Sequence, residues 1–309
     1  MQEVGRVLER LKGIIMIIIG SMFWGATGPM MEWMLHHTEM SAEFMLSVRL
    51  IIAGSLLLCF LGLRKQQVFG VWKERTWRTQ LIIFSIVGMV GLQYTFVKTI
   101  EVSDAVIATL LQFLAPIFII IYVSFRAKKR PPRAQVTGIV GTLFGLFLLL
   151  TNGSISTLLV SEKALIWGVF LGLTYAFYTL YPARLMNEWS VLPVVAWGML
   201  LSGVVFACMG QIWSTPEWGL LFEPRLLWMM ASLIFLGAAA FVLFLTSLKY
   251  ISAVETSVLS SFEPLTAMVI SAIWLGSIMQ FGQFIGVLLM LFFIVYLSVA
   301  GGKAKEERI

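Results

Sequence analysis

Apolar residues run along this chain in long, nearly unbroken stretches punctuated by charges and turn residues. The stretches fall at about 13–33, 41–63, 80–98, 103–125, 134–152, 163–183, 191–211, 226–248, 252–275 and 281–300. A membrane-spanning helix needs roughly 20 mostly apolar residues, and each run is of that order. Lipid offers backbone N–H and C=O groups no partners, and the runs are too long and too continuously apolar for barrel strands. The pattern therefore predicts an all-α integral membrane protein with ten transmembrane helices. The first run contains Pro29, lacks a small-x-small cleavage site and is followed by many further spans, so it reads as a retained helix.

Composition agrees. Of 309 residues, 59% are hydrophobic and 12% charged, and the mean hydropathy is +0.92. Soluble domains carry roughly 25% charged residues, so a soluble globular chain is excluded, as is a disordered one. Ten helices leave no room for a sizeable extramembrane domain. Cys59 and Cys208 lie inside apolar runs and read as small packing residues. The net charge of +6 comes from short basic clusters between the runs, with no aromatic-interleaved basic face. Those clusters act as topology signals, and nucleic acid is not an expected partner. With the N-terminus inside, eighteen Lys and Arg fall in inside segments and three (Lys98, Lys163, Arg225) in outside ones, which places both termini in the cytoplasm.

Sliding the chain over itself by 148 residues without gaps pairs Phe96 with Phe244, Ala105 with Ala253, Val106 with Val254, Leu111 with Leu259 and Pro116 with Pro264. The same register pairs Gln135 with Gln283, Gly138 with Gly286, Leu143 with Leu291, Phe144 with Phe292 and Leu149 with Leu297. The expected organisation is a five-helix repeat over 1–152, a second over 163–300 and a cytoplasmic tail over 301–309. Five helices per repeat oblige the second copy to enter the membrane from the opposite side. The basic stretch Arg126–Arg133 accordingly aligns with the uncharged stretch Trp274–Phe281. Inverted repeats underlie alternating access in secondary transporters, with substrate held near the midplane at the repeat interface.

Helix four carries Thr109, Gln112 and Pro116 on one face, and helix nine carries Ser257, Ser260 and Pro264 at equivalent positions. Such stripes either allow close helix packing or line a cavity, with Pro116 and Pro264 as hinges. Glu263 stands near the bilayer centre, where burial favours the neutral carboxyl; it is a candidate for proton coupling or substrate polarity, or a structural glutamate. Arg49, about eight residues into helix two, cannot shed its charge. It needs an ion-pair partner, with Glu32 or Glu263 in view, or an anionic substrate. Trp24, Gly25, Gln93, Tyr94, Tyr175, Tyr178 and Phe241 fall at one mid-membrane depth, away from the interfacial belts, and are candidates for a polar aromatic cavity. His36 and His37 adjoin each other beside Glu39 without a third ligand at metal spacing, so neither metal nor cofactor is expected. Lys98 and Lys249 sit at helix ends, where their chains snorkel.

Taken in order, Trp24-Gly25, Arg49, the run Ser103 to Ala108 leading to Pro116, and Ser252-Ala253 leading to Glu263-Pro264, with Gln-x-x-Gly opening helices five and ten, resemble the drug/metabolite transporter superfamily in its ten-helix EamA/RhaT-like branch. The resemblance covers nearly the whole chain. It implies two inverted five-helix repeats around a cavity lined chiefly by helices one to four and six to nine, with helices five and ten at the periphery. It also implies a substrate among amino acids, other small metabolites or drugs, commonly moved outward. Two departures stand out: helix six lacks a counterpart to Trp24-Gly25, and helix nine ends Trp274-Leu275-Gly276-Ser277 where many relatives place a glutamate after the glycine.

The resulting expectation is a non-enzymatic secondary carrier of the cytoplasmic membrane, binding a small-molecule substrate within the lipid bilayer, with possible proton coupling and an open oligomeric state. Alternatives are an exchanger of phosphorylated sugars or nucleotide sugars, a membrane scaffold, or a membrane-embedded enzyme.

Overall fold

The computed structural model describes residues 2–128, 130–154, 158–247, 250–251, 259–277 and 279–306. Among these no strand occurs. The long helices are α1 (Gln2–His37), α2 (Ala42–Leu63), α3 (Arg75–Val102), α4 (Ala105–Ala127), α5 (Arg133–Thr151), α6 (Glu162–Leu180), α7 (Val191–Met209), α8 (Pro224–Ser247), α9 (Phe262–Leu275) and α10 (Phe281–Glu306). Eight, α1 to α8, are long and apolar enough to cross a membrane among the described residues, while α9 and α10 hold the shorter apolar stretches Phe262–Leu275 and Phe281–Leu297. Residues 252–258 of the ninth expected span lie outside the described residues.

Large apolar side chains such as Phe125, Phe235, Ile273 and Phe281 face outward, as lipid-facing surfaces do, whereas the interior is built on close backbone approach. A Cβ on Gly54 would meet the Leu200 amide at 2.7 Å, and one on Gly203 would meet Ile51 at the same distance. These two contacts exchange when each residue is moved by 149 positions. The pair α5–α10 repeats the trick: Gly138 abuts Leu297, and Gly286, 148 residues on, abuts Leu149. Further pairs follow the same exchange, α1 with α8 as α6 with α3, and α1 with α9 as α6 with α4. The sequence repeat is thus also a repeat of contacts.

Three helices depart from regular winding where they face the centre. In α4 the amides of Phe113 and Leu114 reach carbonyls three residues back, at 3.1 and 3.0 Å, and Pro116 supplies no N–H to the Gln112 carbonyl. The equivalent break comes just before α9, where Glu263 N–H donates to the Ser260 carbonyl at 2.9 Å, next to Pro264. In α3 the turn over Phe84–Val90 widens to a π-type winding. Ser202 of α7 donates to the Ser85 carbonyl there at 2.9 Å, which satisfies part of the disturbed ladder.

Candidate functional site

A cavity of about 330 Å³ lies at the centre of the bundle. Its walls come from Trp24, Thr27 and Met31 of α1, Arg49 of α2, Met89, Leu92, Gln93 and Phe96 of α3, and Gln112 of α4. The other half supplies Tyr175, Tyr178 and Thr179 of α6 with Pro182 just beyond, Val191, Val195 and Met199 of α7, Gly237, Phe241 and Phe244 of α8, and Glu263 of α9. The lining obeys the internal repeat. Met89, Gln93 and Phe96 are followed 148 residues later by Gly237, Phe241 and Phe244. Trp24, Thr27 and Met31 are followed 151 residues later by Tyr175, Tyr178 and Pro182. Trp24 therefore has a positional counterpart in α6 after all, an aromatic ring of different kind.

The wall is aromatic with a few polar groups. Trp24 meets Phe241 edge-on at 5.4 Å between ring centres and Phe244 at 5.2 Å, and Tyr175 lies 6.2 Å from Tyr178. Neither tyrosine hydroxyl, nor the Gln93 amide, is engaged by another group among the described residues. Such groups, half-buried with the cavity before them, are free to bind a guest. Thr27 is spent locally, its hydroxyl donating to the Trp24 carbonyl at 2.7 Å.

Two charged side chains share this space. Glu263 is half-buried at the mouth of the α9 break, and the Gln112 amide donates to its Oε1 at 2.7 Å. This bond joins the two broken helices. Arg49 is 8% exposed, and its Nη1 donates to Met31 Sδ at 3.4 Å. Gly237 makes room for it, since a Cβ there would stand 3.1 Å from Nη2. The expected ion pair is not made: among the described residues no carboxylate forms a salt bridge with Arg49. Glu32, 8% exposed, instead accepts the Ala105 N–H at 2.8 Å and caps α4 from another helix.

The structure thus gathers Trp24, Gln93, Gln112, Tyr175, Tyr178, Phe241, Glu263 and Arg49 around one space. It leaves other candidates outside the lining. Gly25 is a packing position where α1 crosses α9, with Thr266 and Ala267 close by. Tyr94 turns to Trp167 and Phe206 and lies under Lys98. Thr109 donates its hydroxyl to the Ala105 carbonyl at 2.7 Å. Pro116 and Pro264 stand in the first turns after the two breaks, where they shape the backbone without facing the cavity. Ser260 is half-buried beside the second break, and Ser257 lies outside the described residues. Lys98 pairs with Glu101 at 2.8 Å and approaches Glu43 at 3.9 Å, near the end of α3.

Thr179, exposed in the last turn of α6, belongs to the lining at one end of the cavity. At the opposite end Met31, Met34, Phe44 and Met45 are wholly buried. Above them Arg225 of α8 lies 4.0 Å over Trp33 of α1, and Trp274 of α9 stacks on Trp33 at 6.3 Å. The Glu217 carboxylate accepts both the Ser41 N–H, at 2.7 Å, and its hydroxyl, tying the α7–α8 connection over the start of α2.

The EamA-like transporter family matches residues 11–151 and again 162–299. The chain is 32% identical over 289 residues to the uncharacterized inner membrane transporter YicL of Salmonella typhimurium, covering 93% of this chain and 95% of that one. It is 26% identical over 302 residues to the uncharacterized transporter YyaM of Bacillus subtilis, covering 92% of each. A crystal structure with 13% identity superposes with a TM-score of 0.58 over 94% of this chain and 98% of that one, a likeness of fold alone.

Proposed function

The chain belongs to the EamA-like transporter family and is a multi-pass membrane protein, and we propose that it is a secondary carrier of the plasma membrane exporting a small amphipathic metabolite, of the size and kind of an amino acid, by alternating access. In this reading residues 1–152 and 163–300 are inverted five-helix repeats that rock about the central cavity. The observation that carries it is the cavity itself. It is lined by register-equivalent positions of the two halves, with exposed Thr179 at one end and buried Met31 and Met34 at the other. Under the charge bias of the loops, the end beside Thr179 faces the cytoplasm, and in this reading it is the open one, so substrate enters from inside.

Rocking would pull apart the closed end, where α1 meets α8 and α9, while closing α6 and α7 over Thr179. The breaks in α4 and α9 supply the bends. Glu263 would carry the coupling. A carboxyl in this space is stable either neutral or facing a cation, so it exchanges a proton for a cationic group of the substrate as access alternates. The Gln112 amide holds it in place in either form. The lining offers one carboxylate and no histidine, cysteine or serine among the described residues, a poor set for nucleophilic or acid–base catalysis.

Glu263→Gln keeps the shape and the bond to residue 112 but cannot release a proton. In proteoliposomes it should lose transport driven by a pH gradient while keeping gradient-free exchange. Unchanged response to the gradient would remove the coupling role.

A further inference from the structure

We propose that Arg49 is the recognition site for a carboxylate on the transported molecule, so that the substrate carries a single free carboxylate on a largely apolar body. The proposal rests on the carrier reading of the same cavity and names its substrate class.

Arg49 is 8% exposed, permanently charged and lines the cavity. A buried guanidinium without a counter-anion is strongly unfavourable, and breaking up its surroundings to hold one has to be repaid by something it binds. It carries five N–H donors. Among the described residues its hydrogen-bond acceptor is the Met31 thioether, a weak one, at 3.4 Å. Among the described residues no carboxylate reaches the guanidinium within salt-bridge distance: Glu32 caps the Ala105 amide, and Glu263 accepts one hydrogen bond, from Gln112 to Oε1. Helix α7 offers Arg49 no counter-charge either, lining the cavity with Val191, Val195 and Met199.

The planar fork matches a carboxylate with two parallel hydrogen bonds. A phosphate ester would bring a second negative charge. With one guanidinium in the lining and Glu263 as the other charged group, that charge would be left uncompensated. A carboxylate at Arg49 and an ammonium at Glu263 would satisfy both ends of a zwitterion.

The test uses purified full-length protein and four probes: L-phenylalanine, 3-phenylpropionate, phenylalanine methyl ester and phenyl phosphate. Thermal stability reports binding. The two carboxylates should stabilise the wild type, and the ester and the phosphate should not. Arg49→Gln should weaken carboxylate binding by about ten- to hundredfold, the size of a lost charge-assisted hydrogen bond. Should Arg49→Gln fail to fold, Gly237→Ala, whose methyl presses on Nη2, should weaken the carboxylates selectively. Equal stabilisation by acid and ester, retention in Arg49→Gln, or no stabilisation by either carboxylate would overturn the proposal. Counterflow of the same probes separates the two readings. Arg49-dependent stabilisation without counterflow keeps the carboxylate site and removes the carrier; counterflow indifferent to the carboxylate does the reverse.

Discussion

Gly25 is the position at which the cavity's geometry is most exposed to a single methyl group. It lies where α1 crosses α9, and a Cβ there would press on the Glu263 carbonyl oxygen, stand 2.8 Å from Thr266 Cβ and 3.2 Å from the Ala267 amide nitrogen. Carbon atoms sit comfortably at about 3.5–4.0 Å, so Gly25→Ala requires the two helices to part by about 1 Å. The obstacle is mostly backbone, which no rotamer change relieves. Overpacking of this kind costs about 1–3 kcal/mol, and the better helix propensity of Ala returns about 0.8–1.0 kcal/mol. A net loss of up to about 2 kcal/mol follows. The control is Gly62→Ala near the end of α2, where nothing lies within 4 Å and the propensity gain stands alone. Denaturant titration in detergent micelles measures both. Because Glu263 lies in the same contact, Gly25→Ala should also weaken exchange. Gly25→Ala as stable as Gly62→Ala, with unaltered exchange, would refute the close approach of α1 and α9.

The trans-caps yield two further expectations. Glu32→Ala strands the buried Ala105 N–H and should cost about 1.5–3 kcal/mol in the same titration, with Glu32→Gln losing less because its amide oxygen still accepts; an unchanged midpoint in Glu32→Ala would show that the Asp104 cap on the Ile107 N–H suffices for α4 without Glu32. Glu217→Ala releases the amide and hydroxyl of Ser41 and should speed hydrogen exchange at the start of α2 by roughly tenfold, about 1.4 kcal/mol of local stability; unaltered exchange there would remove the tie between the α7–α8 connection and α2.

The helices were legible because lipid leaves the backbone one local solution, and apolar runs mark it. Their ends were less so. The third run was expected to begin at 80, yet α3 starts at Arg75, because charged residues at an interface change the solvent without breaking the helix. Depth alone located Trp24, Gln93, Tyr175 and Phe241, but it could not choose between neighbours. Adjacent residues on a helix point about 100° apart, so Gln93 faces the cavity while Tyr94 packs on Trp167, and Trp24 lines the cavity while Gly25 meets α9. Thr109 shares a face with Gln112 but spends its hydroxyl on its own helix, a choice that spacing does not reveal. The missed residues were signalled by the repeat. Phe96 and Phe244 are an identity of the 148-residue register, and the same register carries Met89 to Gly237 and Gln93 to Phe241. In α1 and α6 the offset is 151, because connecting loops differ by a few residues; an ungapped comparison sets Trp24 against Gly172 and hides its equivalence to Tyr175. Whether Arg49 has an acceptor was never in the sequence, since that depends on which carboxylates other helices consume.

Counterflow in proteoliposomes tests the central claim most directly, because it needs no driving gradient and asks only whether one cavity serves both faces of the membrane. Liposomes preloaded in turn with pools of amino acids, nucleosides and sugar phosphates should accumulate labelled counterpart saturably and stereoselectively for a carboxylate-bearing pool, and the uptake should fall in Gly25→Ala. Uptake that is linear in concentration and indifferent to preloading would mean a pore, and silence across every pool, from protein shown to be folded, would contradict the carrier.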